Sequence, residues 1–263
     1  MKFYAHLFVV TFIFFLVLTG CKKNDDVTDP GTTTETLSDD EVADAVAKSL
    51  VSGESGCGLT GVVNISGEKS NGTVLTLQPN RLSAPNIDSV FHKTGNTTYT
   101  TYDYYLTLNI AFLKNGKEYQ IYLPTCDTAK VTIKAYGNVS AKTGRYSYND
   151  STDLSNALLS GISPLSDTIT FSGTAIYRST FTVTATSKTY TLATTMTFTS
   201  LKVPKSTYQI SGGTVAVAIK ATLKSGKEVN YSGTITFIGN QTATLTFNGK
   251  TYTINLNSGS VTV

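Results

Sequence analysis

The chain has 263 residues and a formal net charge of +3, with 40% of its residues hydrophobic and 10% aromatic. That is enough apolar material for one large domain or two small ones, and it excludes a disordered chain. Only 15% of residues are charged, Trp is absent and 45 residues are Thr, a balance that favours β-structure and argues against a coiled coil or helical bundle.

Met1-Lys2 opens the chain, a largely apolar run extends from Phe3 to Leu18, and Leu18-Thr19-Gly20-Cys21 closes it. The run is short for a membrane span and ends in small residues, as a secretory signal does. Its last four residues resemble the lipobox of bacterial lipoproteins. The resemblance implies a signal peptide over 1–20, cleavage before Cys21, a diacylglyceryl thioether with fatty acyl chains such as palmitate on Cys21, and anchoring to the outer membrane. Two or more acyl chains, at about 0.8 kcal/mol per buried methylene, hold far more firmly than one. Lys22-Lys23-Asn24-Asp25-Asp26 then resembles the Lys-then-acidic export signal of surface lipoproteins in some Gram-negative groups. It implies a domain facing outward, a periplasm-facing tether being the alternative.

Residues 21–37, with Pro30-Gly31 and Thr32-Thr33-Thr34, read as a flexible lipidated tether. Ser38-Asp39-Asp40-Glu41 fits a capping box, in which the Ser hydroxyl and the Glu carboxylate satisfy the first free amides of a helix. Val42, Val46 and Leu50 follow at fourth-residue spacing, so an amphipathic helix is predicted within 38–52 and ended by Ser52-Gly53. Its apolar stripe is expected to pack on the rest of the domain, a partner-binding helix being the alternative.

Residues 56–263 read as one β-domain, with alternating Thr, Val, Ile, Tyr and Phe broken by turn residues. No second long helix is expected, although Asp150 to Leu159 has the material for one or two helical turns. A break near 148–166 would divide the domain in two. Between residues 99 and 113, Tyr102, Tyr104, Leu106, Leu108, Ile110 and Phe112 share one parity and form the predicted core face.

Asn115-Gly116 is a strong two-residue hairpin signal. Closing it sets Phe112 opposite Tyr119, Ile110 opposite Ile121 and Leu108 opposite Leu123. Asn248-Gly249 likewise brings Leu245 opposite Tyr252 and Ala243 opposite Ile254. At Ser225-Gly226 a two-residue loop would turn the core parity of 215–223 toward polar neighbours. A bulged three-residue turn, Ser225-Gly226-Lys227, is therefore predicted, with Leu223 opposite Val229, Ala221 opposite Tyr231 and Val217 opposite Ile235.

The charge is divided along the chain. Residues 22–59 hold three Lys against nine acidic residues, and residues 60–263 hold seventeen Lys or Arg against nine. A basic body suits anionic partners, but fourteen of the seventeen are scattered Lys, which keep strand edges soluble. No basic cluster or motif accompanies them, and nucleic acid is not an expected partner.

With Cys21 lipidated, Cys57 and Cys126 remain in an oxidising compartment, where a disulfide between them is expected, two free thiols in loops being the alternative. Such a bond would close about 70 residues and contribute at most roughly 4 kcal/mol in the chain-entropy model. His92 is the only histidine after the signal segment, which leaves little for a Cys/His pair or a zinc site. The acidic pair Asp103 and Glu118 lies too far apart along its hairpin for glycoside hydrolysis. No phosphate loop, dinucleotide fingerprint, nucleophile elbow or EF-hand loop is present. No cofactor and no catalysis are expected.

The outward parity of the same hairpin offers a different chemistry. Tyr99, Asp103, Tyr105 and Asn109 on one strand, with Gln120 and Tyr122 on the next, present aromatic rings among amide and carboxylate groups, a combination suited to the apolar face and hydroxyls of a sugar. An ordinary Tyr/Thr-rich strand surface is the alternative. Asp88-Ser89-Val90, Asp127-Thr128-Ala129, Asp150-Ser151-Thr152 and Asp167-Thr168-Ile169 resemble acceptor sites of a bacterial O-glycosylation system, which would modify Ser89, Thr128, Ser151 and Thr168. They are also ordinary turn dipeptides.

The expected architecture is all-β: a large antiparallel sandwich or curved meander of about 10–12 strands with one short N-terminal helix. The chain is similar to β-rich surface lipoproteins in its anchor, helix and strands, a likeness that implies architecture only. The expected role is a lipid-anchored, non-catalytic binding or adhesion module at the cell surface, with a glycan or an envelope protein as partner. A periplasm-facing carrier or assembly factor for an apolar ligand, or a pilus-like structural subunit, are the alternatives.

Overall fold

The computed structural model describes residues 36–51, 58–70, 89–96, 100–119, 123, 125–141, 146–183 and 188–263. The signal-like residues 1–20, Cys21, the export-like Lys22 to Asp26, Cys57, Tyr99, Gln120, Ile121 and Tyr122 lie outside them.

Helix α1 spans Asp39–Val51 and starts as its sequence dictates. The Ser38 amide donates to Glu41 Oε2 (2.9 Å) and the Glu41 amide donates to Ser38 Oγ (3.2 Å), a closed capping box. Val42, Val46 and Leu50 are fully buried. A second helix, α2, spans Leu59–Ser70, where β-structure was expected. Leu59, Val62, Val63 and Ser66 recur at helical spacing and are all buried, so tertiary burial of one stripe overrides the strand preference of paired valines. Thr60 Oγ1 donates to the Leu50 carbonyl at 2.7 Å and ties α2 to the end of α1.

Twelve strands follow among the described residues: β1 Ser89–Asn96, β2 Thr100–Lys114, β3 Lys117–Tyr119, β4 Thr128–Ala141, β5 Tyr146–Ser160 and β6 Thr168–Val183. The series continues with β7 Lys188–Pro204, β8 Gly213–Thr222, β9 Glu228–Gly239, β10 Thr242–Phe247, β11 Lys250–Asn255 and β12 Val261–Thr262. All belong to one antiparallel meander in the order β1-β2-β4-β5-β6-β7-β8-β9-β10-β11-β12, with β3 beside β2. Glu35–Val263 forms a single unit, and β5 runs through the region where a break was considered.

Along β8, β10 and β11 one parity is buried. In β8, Val215, Val217, Ile219 and Ala221 are buried and the residues between them are exposed or partly so. The buried sides of the strands and both helices form one continuous core. A helix of 13 residues is only about 20 Å long, and eleven strands in a row span roughly 50 Å. The two helices therefore cover only part of the inner face. Helix α1 is fastened to the C-terminal strands: Tyr252 Oη donates to Asp40 Oδ1 (3.0 Å), Tyr231 Oη to the Leu37 carbonyl (3.2 Å), and Lys250 Nζ lies 3.1 Å from Asp39 Oδ2. Helix α2 lies against β4 and β6.

The hairpin at Asn248-Gly249 has the predicted register, with Leu245 opposite Tyr252 and Ala243 opposite Ile254. Both turn residues have positive φ, 50° and 75°, the demand that Asn-Gly meets at little cost. Three other local expectations are corrected. Asn115-Gly116 does set Phe112 opposite Tyr119, the last described residue of β3, but Leu108 meets Ser89 of β1 and Ile133 of β4, not Leu123. The bulged turn of the β8–β9 hairpin sits one residue earlier, at Lys224-Ser225-Gly226, with the Leu223 amide donating to the Lys227 carbonyl at 2.9 Å. Ala221 thus pairs with Val229 and Val217 with Gly233; the shift of two preserves parity and core still meets core. Asp150 to Leu159 is strand and not helix. A bulge between Leu154 and Leu158 switches its buried parity from Asp150, Thr152 and Leu154 to Ala157 and Leu159.

Candidate functional site

The outer face of β1, β2 and β4 carries a ladder of rings. Register sets His92 beside Tyr105 and Tyr105 beside Tyr136. His92 and Tyr105 stack at 4.3 Å between centroids with 7° between planes, and Tyr105 and Tyr136 at 5.3 Å with 15°. The spacing matches the distance between neighbouring strands, so the rings stand upright on the sheet like rungs. Tyr136 is 58% exposed and Tyr105 is 39% exposed. Asp103, two residues before Tyr105 on the same face, holds His92 Nε2 at 2.6 Å and fixes the first rung.

Of the predicted ligand face, Asp103 and Tyr105 stand together here. Asn109 is on the same face, half-buried and opposite Thr132 of β4, four residues from Tyr105. Tyr99, Gln120 and Tyr122 lie outside the described residues. His92 and Tyr136 were not anticipated. Tyr136 was legible as an outward residue, because Val131, Ile133 and Ala135 alternate with Thr132, Lys134 and Tyr136. Its position beside Tyr105 was not, since β4 and not the hairpin partner lies along most of β2.

A row of small polar side chains borders the ladder. Asp103 is opposite Asn138, Asn138 opposite Asn149 and Asn149 opposite Thr180, and all four are exposed. Rings flanked by amides, a hydroxyl and a carboxylate can hold a molecule that combines an apolar face with several hydroxyls.

The inner face holds a second polar group. Asp150 is 5% exposed and its carboxylate accepts hydrogen bonds from the hydroxyls of Tyr104 and Tyr177. Burial pushes the Asp150 carboxyl up to about 6, against the opposing pull of the two phenols. The Ser179 hydroxyl, opposite Asp150 on β6, is buried without a hydrogen-bond partner among the described residues.

Cys126 is fully buried with a free thiol, and its expected partner Cys57 lies outside the described residues. Of the glycosylation-like positions, Thr128 starts β4, with its hydroxyl donating to Asp127 Oδ1 at 3.2 Å, and Thr168 starts β6. Ser89 opens β1, and Ser151 lies in mid-strand on the outer face while the preceding Asp150 points into the core. Glu118 pairs with Lys130 at 3.2 Å near the β2–β3 turn, far along the strand from Asp103. Among the described residues no group of His, Cys, Asp and Glu is placed to hold a metal ion, and no helix is long and apolar enough to cross a membrane. Comparisons of the chain with protein-family models, with curated proteins and with solved structures each return no match.

Proposed function

We propose that the protein is a lipid-anchored, non-catalytic envelope module that binds saccharides on the outer face of β1, β2 and β4. The observation that carries this reading is the exposed ladder His92, Tyr105 and Tyr136 with its border of Asp103, Asn138, Asn149 and Thr180. Aromatic pairs across strands stabilise a sheet, which accounts for the stacking. It does not account for leaving large rings in water beside a row of hydrogen-bonding groups, a composition that suits a sugar.

The test is a panel of immobilised saccharides probed with the full chain purified from membranes in detergent. Wild type should bind a subset of the panel, and the double variant Tyr105→Ala, Tyr136→Ala should lose that binding with its melting transition retained. Undiminished binding by the variant would remove the site. The location is tested separately by protease treatment of intact, sealed cells, with a periplasmic protein as leakage control. The surface reading expects digestion of residues 60–263 before lysis, and protection until lysis would reverse it.

A further inference from the structure

The ladder lacks one rung. Continuing the register across the sheet, Tyr136 is opposite Ser151 of β5, and Ser151 is opposite Arg178 of β6. Tyr136 and Arg178 are exposed on the outer face and Ser151 is half-buried between them. The two filled steps show that one strand spacing accommodates one ring, at 4.3 and 5.3 Å. At Ser151 a single hydroxymethyl stands where the next ring would be. Tyr136 and Arg178, two strands apart, are separated by about 10 Å at the backbone. The result is a notch with the second face of Tyr136 as one wall, Arg178 as the other and Ser151 as its floor.

The charges around the notch favour an anion. Arg178 forms no ion pair among the described residues. Asp103 is engaged by His92, and Asp153 lies opposite Lys134 and accepts from Ser155 Oγ at 2.6 Å. Asp150 faces inward. A guanidinium offers two parallel N–H groups to a carboxylate, and a Tyr face stacks on the C–H face of a sugar ring.

Resting on the saccharide reading above, we infer that this notch takes a sugar residue carrying a carboxylate. Its ring serves as the missing rung against Tyr136, and its carboxylate faces Arg178. The neighbouring Asn149 and Thr180 then lie beside its hydroxyls.

The test compares a glucuronate-containing oligosaccharide with the same oligosaccharide after reduction of its carboxylates to hydroxymethyl groups. The full chain in detergent should bind the acidic form at least tenfold tighter than the reduced form. Arg178→Gln should erase that preference while keeping the affinity for the reduced form, and Ser151→Tyr, which fills the notch without altering either wall, should weaken the acidic form most. Equal affinity for the two forms, or a preference that survives Arg178→Gln, would overturn the notch and leave the aromatic platform standing. Failure of wild type to bind either form, together with no binding anywhere on the saccharide panel, would overturn both.

Discussion

Tyr104 reaches across Gly137 to donate its hydroxyl to Asp150. The three residues sit in register on β2, β4 and β5, and a Cβ on Gly137 would lie 2.6 Å from Tyr104 Cδ1 and 2.1 Å from the Asp103 carbonyl oxygen. Glycine is required there because the phenol must pass over the strand between donor and acceptor. Gly137→Ala is therefore expected to destabilise the domain by about 2–4 kcal/mol, through overpacking and loss of the buried hydrogen bond. Chemical denaturation checks it, and a change below about 0.5 kcal/mol would contradict the crossing.

Asp150 makes stability depend on pH in a stated direction. Folding raises its carboxyl from the ordinary 3.8 to about 6, so between these values the native state holds more proton than the unfolded chain. Stability must fall as pH rises through that window and then level off, by about 3 kcal/mol for this group. Asp150→Asn keeps an acceptor for one phenol and cannot ionise. The stability difference, variant minus wild type, should grow in the variant's favour from pH 4 to pH 6. Asp150→Leu instead leaves two buried phenols without their acceptor and should cost several kcal/mol at every pH. Parallel stability curves for wild type and Asp150→Asn would show that the carboxyl titrates normally.

Ser38→Ala removes the acceptor for the Glu41 amide and opens the capping box. The expected loss is about 1 kcal/mol. It should be accompanied by faster amide exchange in the first turn of α1 and unchanged exchange in the central strands, readable by hydrogen-exchange mass spectrometry.

The ring ladder also fastens β1 to β2. His92 lies on β1 and is held by Tyr105 and Asp103 of β2. Tyr105→Ser should speed amide exchange across Ser89–Asn96 at least several-fold and leave β9 to β11 unaffected, because a local contact governs local opening. Equal exchange in wild type and variant would mean that the backbone pairing alone holds β1.

What could be read from the chain was local. The capping box, the stripe of α1, the core parity of β2 and the Asn248-Gly249 hairpin each depend on residues within a few positions of one another. What could not be read was either ambiguous in period or set by distant neighbours. Leu59 to Ser66 has helical spacing at Leu59, Val62, Val63 and Ser66 but strand-favouring valines, and only burial against β4 and β6 decides between them. β5 carries a carboxylate, Asp150, on its core parity and its bulge then reverses that parity, so no single alternation runs through the strand. Tyr105 was identifiable as outward, but its stacking on His92 and Tyr136 follows from β2 lying between β1 and β4, which no hairpin signal specifies.

The proposed sugar site is the outer face at Tyr105 and Tyr136. Oxidative footprinting of tyrosines in the full chain, with and without a saccharide that binds on the panel, addresses it residue by residue. Reactivity of Tyr105 and Tyr136 should fall several-fold on binding, with Tyr208, in the segment between β7 and β8, unchanged. Unaltered reactivity at both ladder tyrosines under saturating saccharide would contradict the account.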